Sequence, residues 1–205
     1  MADSKAKFNA YLMDLAKRYA AEATERLGDR IVSIALYGSV ARGEAGPGSD
    51  IDLFVVLTNA PPGMLNRRRL LDPVRESLTP DLEMLWKEGI YVDFVEVIRT
   101  RSEAEKFHPL YLDMSQEAVL LYDRDGFLEK VLAEVGEELE RRGAERKFMG
   151  NVWFWDLSDA SSRPDRFGRK LHQNMVEADR VILPHRGAPY PSLHMVGRRG
   201  SWPSR

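Results

Sequence analysis

Two short apolar runs, Ile31 to Tyr37 and Ile51 to Leu57, flank a loop that reads Gly38-Ser39-Val40-Ala41-Arg42-Gly43-Glu44-Ala45-Gly46-Pro47-Gly48-Ser49-Asp50. Both runs are rich in Ile, Val and Leu, of strand length, and bounded by turn residues, which predicts two strands. A Gly-Ser pair leaves the first strand and an Asp-x-Asp pair, Asp50 and Asp52, opens the second. The chain between them must turn in a glycine-rich loop that lets other groups approach its backbone closely.

Alternation along the second strand sends Asp50 and Asp52 to one side and Ile51 and Leu53 to the other, towards a core. Two neighbouring carboxylates repel each other, and a divalent cation between them reverses the sign. Mg2+ suits such a site as a hard cation that completes its shell with water and phosphate oxygens; Mn2+ is the other candidate. Backbone N–H groups at the turn after the first strand, with Gly38 and Ser39, are suited to anions. The Ser39 hydroxyl and the Arg42 guanidinium add phosphate donors, and Ser49 stands beside Asp50 as a further nucleotide-binding candidate. The Walker loop is absent, since no Gly-Lys-Ser/Thr follows the glycines, and so is the Rossmann fingerprint.

A third carboxylate comes from Ile90-Tyr91-Val92-Asp93-Phe94-Val95-Glu96-Val97-Ile98, a run apolar apart from Asp93 and Glu96. Read as a strand over 90–98, it places Asp93 in its middle, where an unpaired acid is costly unless a metal or cation meets it. Asp93 is therefore expected to join Asp50 and Asp52 across adjacent strands as catalytic and metal-binding residues. The plainer alternative is that Asp93 caps a turn or pairs with a lysine.

Gly38-Ser39, ten intervening residues, Asp50-Ile51-Asp52 and a later strand aspartate together resemble the DNA polymerase beta-type nucleotidyltransferase superfamily. The resemblance covers about residues 30 to 100 and is strongest to the minimal branch, which includes antitoxin-type enzymes paired with helical toxins. It implies two Mg2+ ions on Asp50 and Asp52, with Asp93 completing the catalytic metal site and helping to deprotonate an acceptor hydroxyl. It further implies that Gly38 and Ser39 grip the β and γ phosphates of a nucleoside triphosphate, ATP being the expected one. The reaction implied is transfer of AMP to a hydroxyl on a protein or small molecule. The alternative is a binding module that neutralises a co-encoded helical toxin by contact. A template-dependent polymerase is disfavoured, because so short a chain shows no template-binding domain.

The fold expected is α/β (α+β): a small mixed, twisted sheet carrying the carboxylates, flanked by helices on one face. The 205 residues suffice for one core plus an appendage. We expect a nucleotidyltransferase domain over 1–157 and a basic, Pro/Arg-rich extension over 158–205, poorly ordered from 184. The extension holds nine Lys/Arg and four Asp/Glu, about +5 against an overall −2. Zero cysteines exclude disulfides and fit a cytoplasmic protein. No membrane span or signal peptide is apparent, and nucleic acid is an improbable partner.

Helices are expected over 4–27, over 64–87 with an interruption at Pro80, over 101–107, after Pro109, and over 126–142. Further strands are expected at 118–122 and 148–157. Trp153, Phe154 and Trp155 are read as packing residues before base-stacking ones. Arg67-Arg68-Arg69 is read as a solvated helix face, since three consecutive residues cannot share one side. His108 is expected to cap a boundary before Pro109. Arg42 is read as functional.

Overall fold

The structure, a computed structural model, describes residues 2–149, 152–156 and 180–182. The helix expected at the N-terminus spans Ala2–Leu27 (α1) and ends where Gly28 takes a left-handed φ of 50°. Its apolar spacing buries Leu12, Leu15 and Tyr19 completely. The strands Ile31–Tyr37 (β1) and Ile51–Leu57 (β2) flank a single turn of helix, Gly38–Ala41 (α2). Helices Met64–Arg69 (α3) and Asp72–Lys87 (α4) lead to Phe94–Thr100 (β3). Arg101–Ala104 (α5), Leu110–Glu117 (α6), Val119–Asp123 (β4) and Phe127–Arg142 (α7) follow.

These strands form a four-stranded sheet in the order β3-β2-β1-β4. β1 runs antiparallel to β2 and to β4, while β2 and β3 are parallel, so the sheet is mixed as expected. The parallel pair requires the crossover that α3 and α4 supply. On one face, Ile34, Leu36, Leu53, Val55 and Phe94 meet Leu12, Leu15 and Tyr19 of α1 and Val74, Leu78 and Leu82 of α4 in one core. Helices were expected on one face alone. Val32, Ala35, Phe54 and Val56 point the other way and are equally buried, so the two central strands are covered on both faces. That double burial explains why their sequences read as continuous apolar runs.

Pro80 does not break α4. The proline removes one backbone donor, but Val74, Leu78, Leu82 and Leu85, buried on either side of it, hold both halves of the helix to the core. The actual interruption lies between Arg69 and Asp72. The chain divides into two units, 1–106 with 113–133 and 107–112 with 134–205. In the second, the run expected as one strand over 148–157 instead contributes to two antiparallel strands, Glu145–Met149 (β5) and Val152–Asp156 (β6), joined by Arg180–Ile182 (β7). Trp155 is buried there under the Arg146 guanidinium at 5.2 Å, consistent with a packing role. In the same unit His108 accepts from the Leu110 N–H through Nδ1 at 3.3 Å, the boundary cap expected of it. The extension expected to be poorly ordered, 184–205, lies outside the described residues. Among those described, no helix is long and apolar enough to cross a membrane.

Candidate active site

Sheet register assembles the expected residues at one end of the sheet. Tyr37, the last residue of β1, pairs with Asp52, so the chain turns at Gly38 directly beside that carboxylate. Gly38 has φ of 76°, and a Cβ built on it would lie 2.6 Å from Asp52 Oδ2. Glycine is required there twice over, by backbone conformation and by space. Across the parallel pair Ile51 is level with Phe94, which brings Asp50 beside Asp93. The Asp93 N–H donates to Asp50 Oδ1 at 3.1 Å, and the Ile51 N–H donates to the Asp93 carbonyl at 2.9 Å.

Asp52 is poorly solvated, and burial pushes its carboxyl up to about 6, with the more distant Arg42 charge acting the other way. No hydrogen bond from a described residue meets that carboxylate. A half-buried acid that meets no hydrogen-bond donor is one that a cation would stabilise. Asp50 and Asp52 thus fit a hard divalent ion.

Asp93 differs from expectation. Its strand begins at Phe94, so Asp93 sits at the strand's mouth and its side chain is 48% exposed. Asp93 Oδ1 accepts the Phe94 N–H at 2.8 Å, and both carboxylate oxygens lie 3.3 Å from Arg75 Nη2. The turn-capping alternative describes the Phe94 contact, while the basic partner is Arg75 where a lysine was expected. Among the described residues no three acidic or imidazole side chains are grouped to hold one metal ion. The acid that the strand does bury is Glu96, whose side chain is fully inaccessible. It accepts from the Tyr19 hydroxyl at 3.2 Å, from Arg68 Nε at 3.3 Å and from Arg75 Nη1 at 3.5 Å. Burial raises its carboxyl, and the Arg75 and Arg68 charges oppose that rise. The cost of a buried strand acid was real, but it belonged to Glu96, three residues on.

The loop is braced from within. Arg42 Nε donates to Glu44 at 2.7 Å and Arg42 Nη1 to Glu117 at 3.0 Å, with the Arg42 and Glu117 side chains only 12% and 13% exposed. In this geometry Arg42 is a clamp on the loop. Ser49 Oγ accepts the Gly46 N–H at 3.0 Å and closes the turn that delivers Asp50. Ser39 is the second residue of α2, and its carbonyl accepts the Glu44 N–H at 2.9 Å. Asn9, which the sequence did not single out, bridges α1 to the loop. Its amide donates to the Val40 carbonyl at 3.3 Å and its carbonyl accepts the Ala45 N–H at 3.1 Å. An isolated polar residue on the helix before a glycine loop was the available signal, and a weak one.

Nor do Arg67, Arg68 and Arg69 form a solvated face. Arg67 makes a bidentate pair with Glu103 at 2.6 and 2.8 Å, which together with the Thr100 cap holds Glu103 down to about 2. Arg68 turns to Glu96, and Arg69 remains exposed.

The chain is similar to several known proteins. Over 130 residues the chain is 27% identical to a "putative protein adenylyltransferase" of Methanocaldococcus jannaschii, covering 63% of this chain and 84% of that one. Solved structures of toxin–antitoxin complexes share its outline distantly. One, determined with AMP-PNP, matches with a TM-score of 0.38 at 16% identity over 62% of this chain and 92% of the other. Another, the MntA-HepT complex, gives 0.35 at 15% identity over 63% and 92%. The model of the nucleotidyltransferase domain matches residues 17–122, which include the loop, all three aspartates and the whole four-stranded sheet apart from the end of β4. The chain belongs to the nucleotidyltransferase domain family.

Proposed function

We propose that the protein transfers AMP from ATP to a hydroxyl acceptor, on a protein or a small molecule, using a divalent metal held by Asp50 and Asp52. The observation that carries this reading is the Asp52 carboxylate, held beside the Gly38 turn without a hydrogen-bonding partner among the described residues and pushed up to about 6 by burial. The name of the M. jannaschii relative supports AMP as the transferred group and a protein as the acceptor.

In the reaction, the acceptor oxygen attacks the α-phosphorus, the bond from that phosphorus to the bridging oxygen breaks, and pyrophosphate leaves with the bond electrons. Gly38 and Ser39 hold the β and γ phosphates through the backbone and hydroxyl of the α2 turn, and Arg42 and Ser49 keep the loop in shape. Bound Mg2+, with Mn2+ as a substitute, would neutralise the triphosphate and make the acceptor hydroxyl more acidic. Asp93, half-exposed at the mouth of β3, would take the acceptor proton. Residues 1–157 are read as the catalytic domain, with 158–205 an extension to it. The cytoplasm, where ATP and Mg2+ are abundant, suits the reaction.

Incubating the full chain with Mg2+ and α-labelled ATP, with and without the product of a neighbouring gene, tests the reading. Label should pass to the partner or to a small acceptor and vanish with EDTA or with Asp50→Ala. Tight partner binding without label transfer would replace the enzyme with a neutralising binding module.

A further inference from the structure

Along α3 and α4 lies an open cavity of about 410 Å³. It is lined by three arginines, Arg68, Arg69 and Arg75, with Asp72, Glu76 and the apolar Leu65. Arg68 and Arg75 are the two side chains that reach the Asp93 carboxylate, so cavity and candidate site share a wall.

These arginines are loosely held. Arg75 meets Asp93 and Glu96 at 3.3 and 3.5 Å, and Arg68 meets Glu96, the Phe94 carbonyl and Asp93 at 3.3, 3.4 and 3.9 Å. Elsewhere in the same unit the guanidiniums close properly on carboxylates: Arg18 on Asp81 at 2.8 Å twice, Arg67 on Glu103 at 2.6 and 2.8 Å. Arg69 has no ion-pair or hydrogen-bond partner among the described residues. Charge-assisted pairs shorten to about 2.7–2.9 Å when geometry allows, and the contacts of Arg68 and Arg75 are all longer than that. Glu96, which also accepts from Tyr19, takes one nitrogen from each of Arg68 and Arg75, whose side chains are 40% and 22% exposed.

Building on the AMP-transfer reading, we propose that this cavity is the acceptor-side subsite and takes a carboxylate of an acidic peptide segment that carries the acceptor hydroxyl. Two guanidiniums shared with Asp93 would seat that carboxylate next to the residue that receives the hydroxyl proton. Met64 and Leu65, 75% and 73% exposed on α3, give a peptide's apolar side chains a surface beside the charges. Asp72 and Glu76 in the lining interrupt the positive field. A continuous polyanion such as RNA is thereby repelled, while a single carboxylate fits between.

The test is fluorescence anisotropy on the full chain with a labelled, otherwise neutral peptide carrying one glutamate beside one tyrosine, its lysine counterpart, and an RNA oligomer of equal length. The glutamate peptide should bind best. Arg69→Glu should weaken it about tenfold or more, Arg69→Lys should retain most of the affinity, and binding of a non-hydrolysable ATP analogue should be unchanged by either. Equal binding by Arg69→Glu, or preference for the lysine peptide or for RNA, would overturn the subsite. The readout needs no turnover. An inactive chain that still selects the glutamate peptide would sink the AMP-transfer reading alone, and an active one that does not select it would sink the subsite alone.

Discussion

Asp93 gives its backbone N–H to the Asp50 carboxylate at 3.1 Å while its own carboxylate lies 3.3 Å from Arg75. One residue thus orients a candidate metal ligand through its main chain and is itself held away by a guanidinium. The parallel register of β2 on β3 makes both relations possible, because it sets Asp50 level with Asp93.

Asp52→Asn should abolish AMP transfer, by about a thousandfold or more, without unfolding the protein. It should also stabilise the metal-free chain. Burial raises the Asp52 carboxyl to about 6 in the folded state, above its unfolded value, so the native state binds more protons between the two. Stability therefore falls as pH rises from about 4 to about 6, by on the order of 1–3 kcal/mol. Thermal melts in EDTA at pH 5 and pH 7.5 should show that loss in the wild type and a smaller one in Asp52→Asn. Adding Mg2+ at pH 7.5 should restore stability to the wild type alone.

Gly38→Ala should damage both fold and site. Its φ of 76° opposes any side chain, and the new Cβ would press on Asp52 Oδ2. A loss of about 1–3 kcal/mol in urea denaturation is expected, together with weaker ATP binding by calorimetry. Unchanged stability would mean that the Asp52 side chain is not held against the turn.

Glu96 and Asp93 should separate by stability. Glu96→Leu removes the buried acceptor of Tyr19, Arg68 and Arg75 and should destabilise by about 3 kcal/mol or more. Asp93→Asn alters a half-exposed group and should change stability by less than about 1 kcal/mol while reducing AMP transfer strongly. Urea denaturation of the two variants checks the contrast.

Arg42→Ala and Glu117→Gln should each loosen the loop, because the pair is largely buried. Each is expected to destabilise by about 2–4 kcal/mol, and the double variant by little more than one alone. Additive losses in a double-mutant cycle would argue that Arg42 acts chiefly elsewhere, on the phosphates.

Local pattern was enough for much of this. The period-2 placement of Asp50 and Asp52, the apolar spacing of α1 and the Gly-Ser turn involve residues within a few positions of one another, so spacing alone specifies them. Where β3 begins was not local. Residues 90–98 read as strand throughout, but pairing with β2 starts at Phe94, which left Asp93 outside the ladder and buried Glu96 in its place. Pro80 misled for a similar reason, since its missing hydrogen bond is outweighed by core contacts to both halves of α4.

The sequence by itself determined the domain family, because the loop and its carboxylates lie close together in the chain and their spacing carries the resemblance. Tertiary structure alone decided which partner each charge meets. Arg42 closes on Glu117, Arg67 on Glu103, Arg75 on Asp93 and Glu96, and Asn9 on the loop, across separations of 18 to 75 residues. A guanidinium can satisfy any nearby carboxylate, so its choice is set by which strands and helices the apolar core brings together.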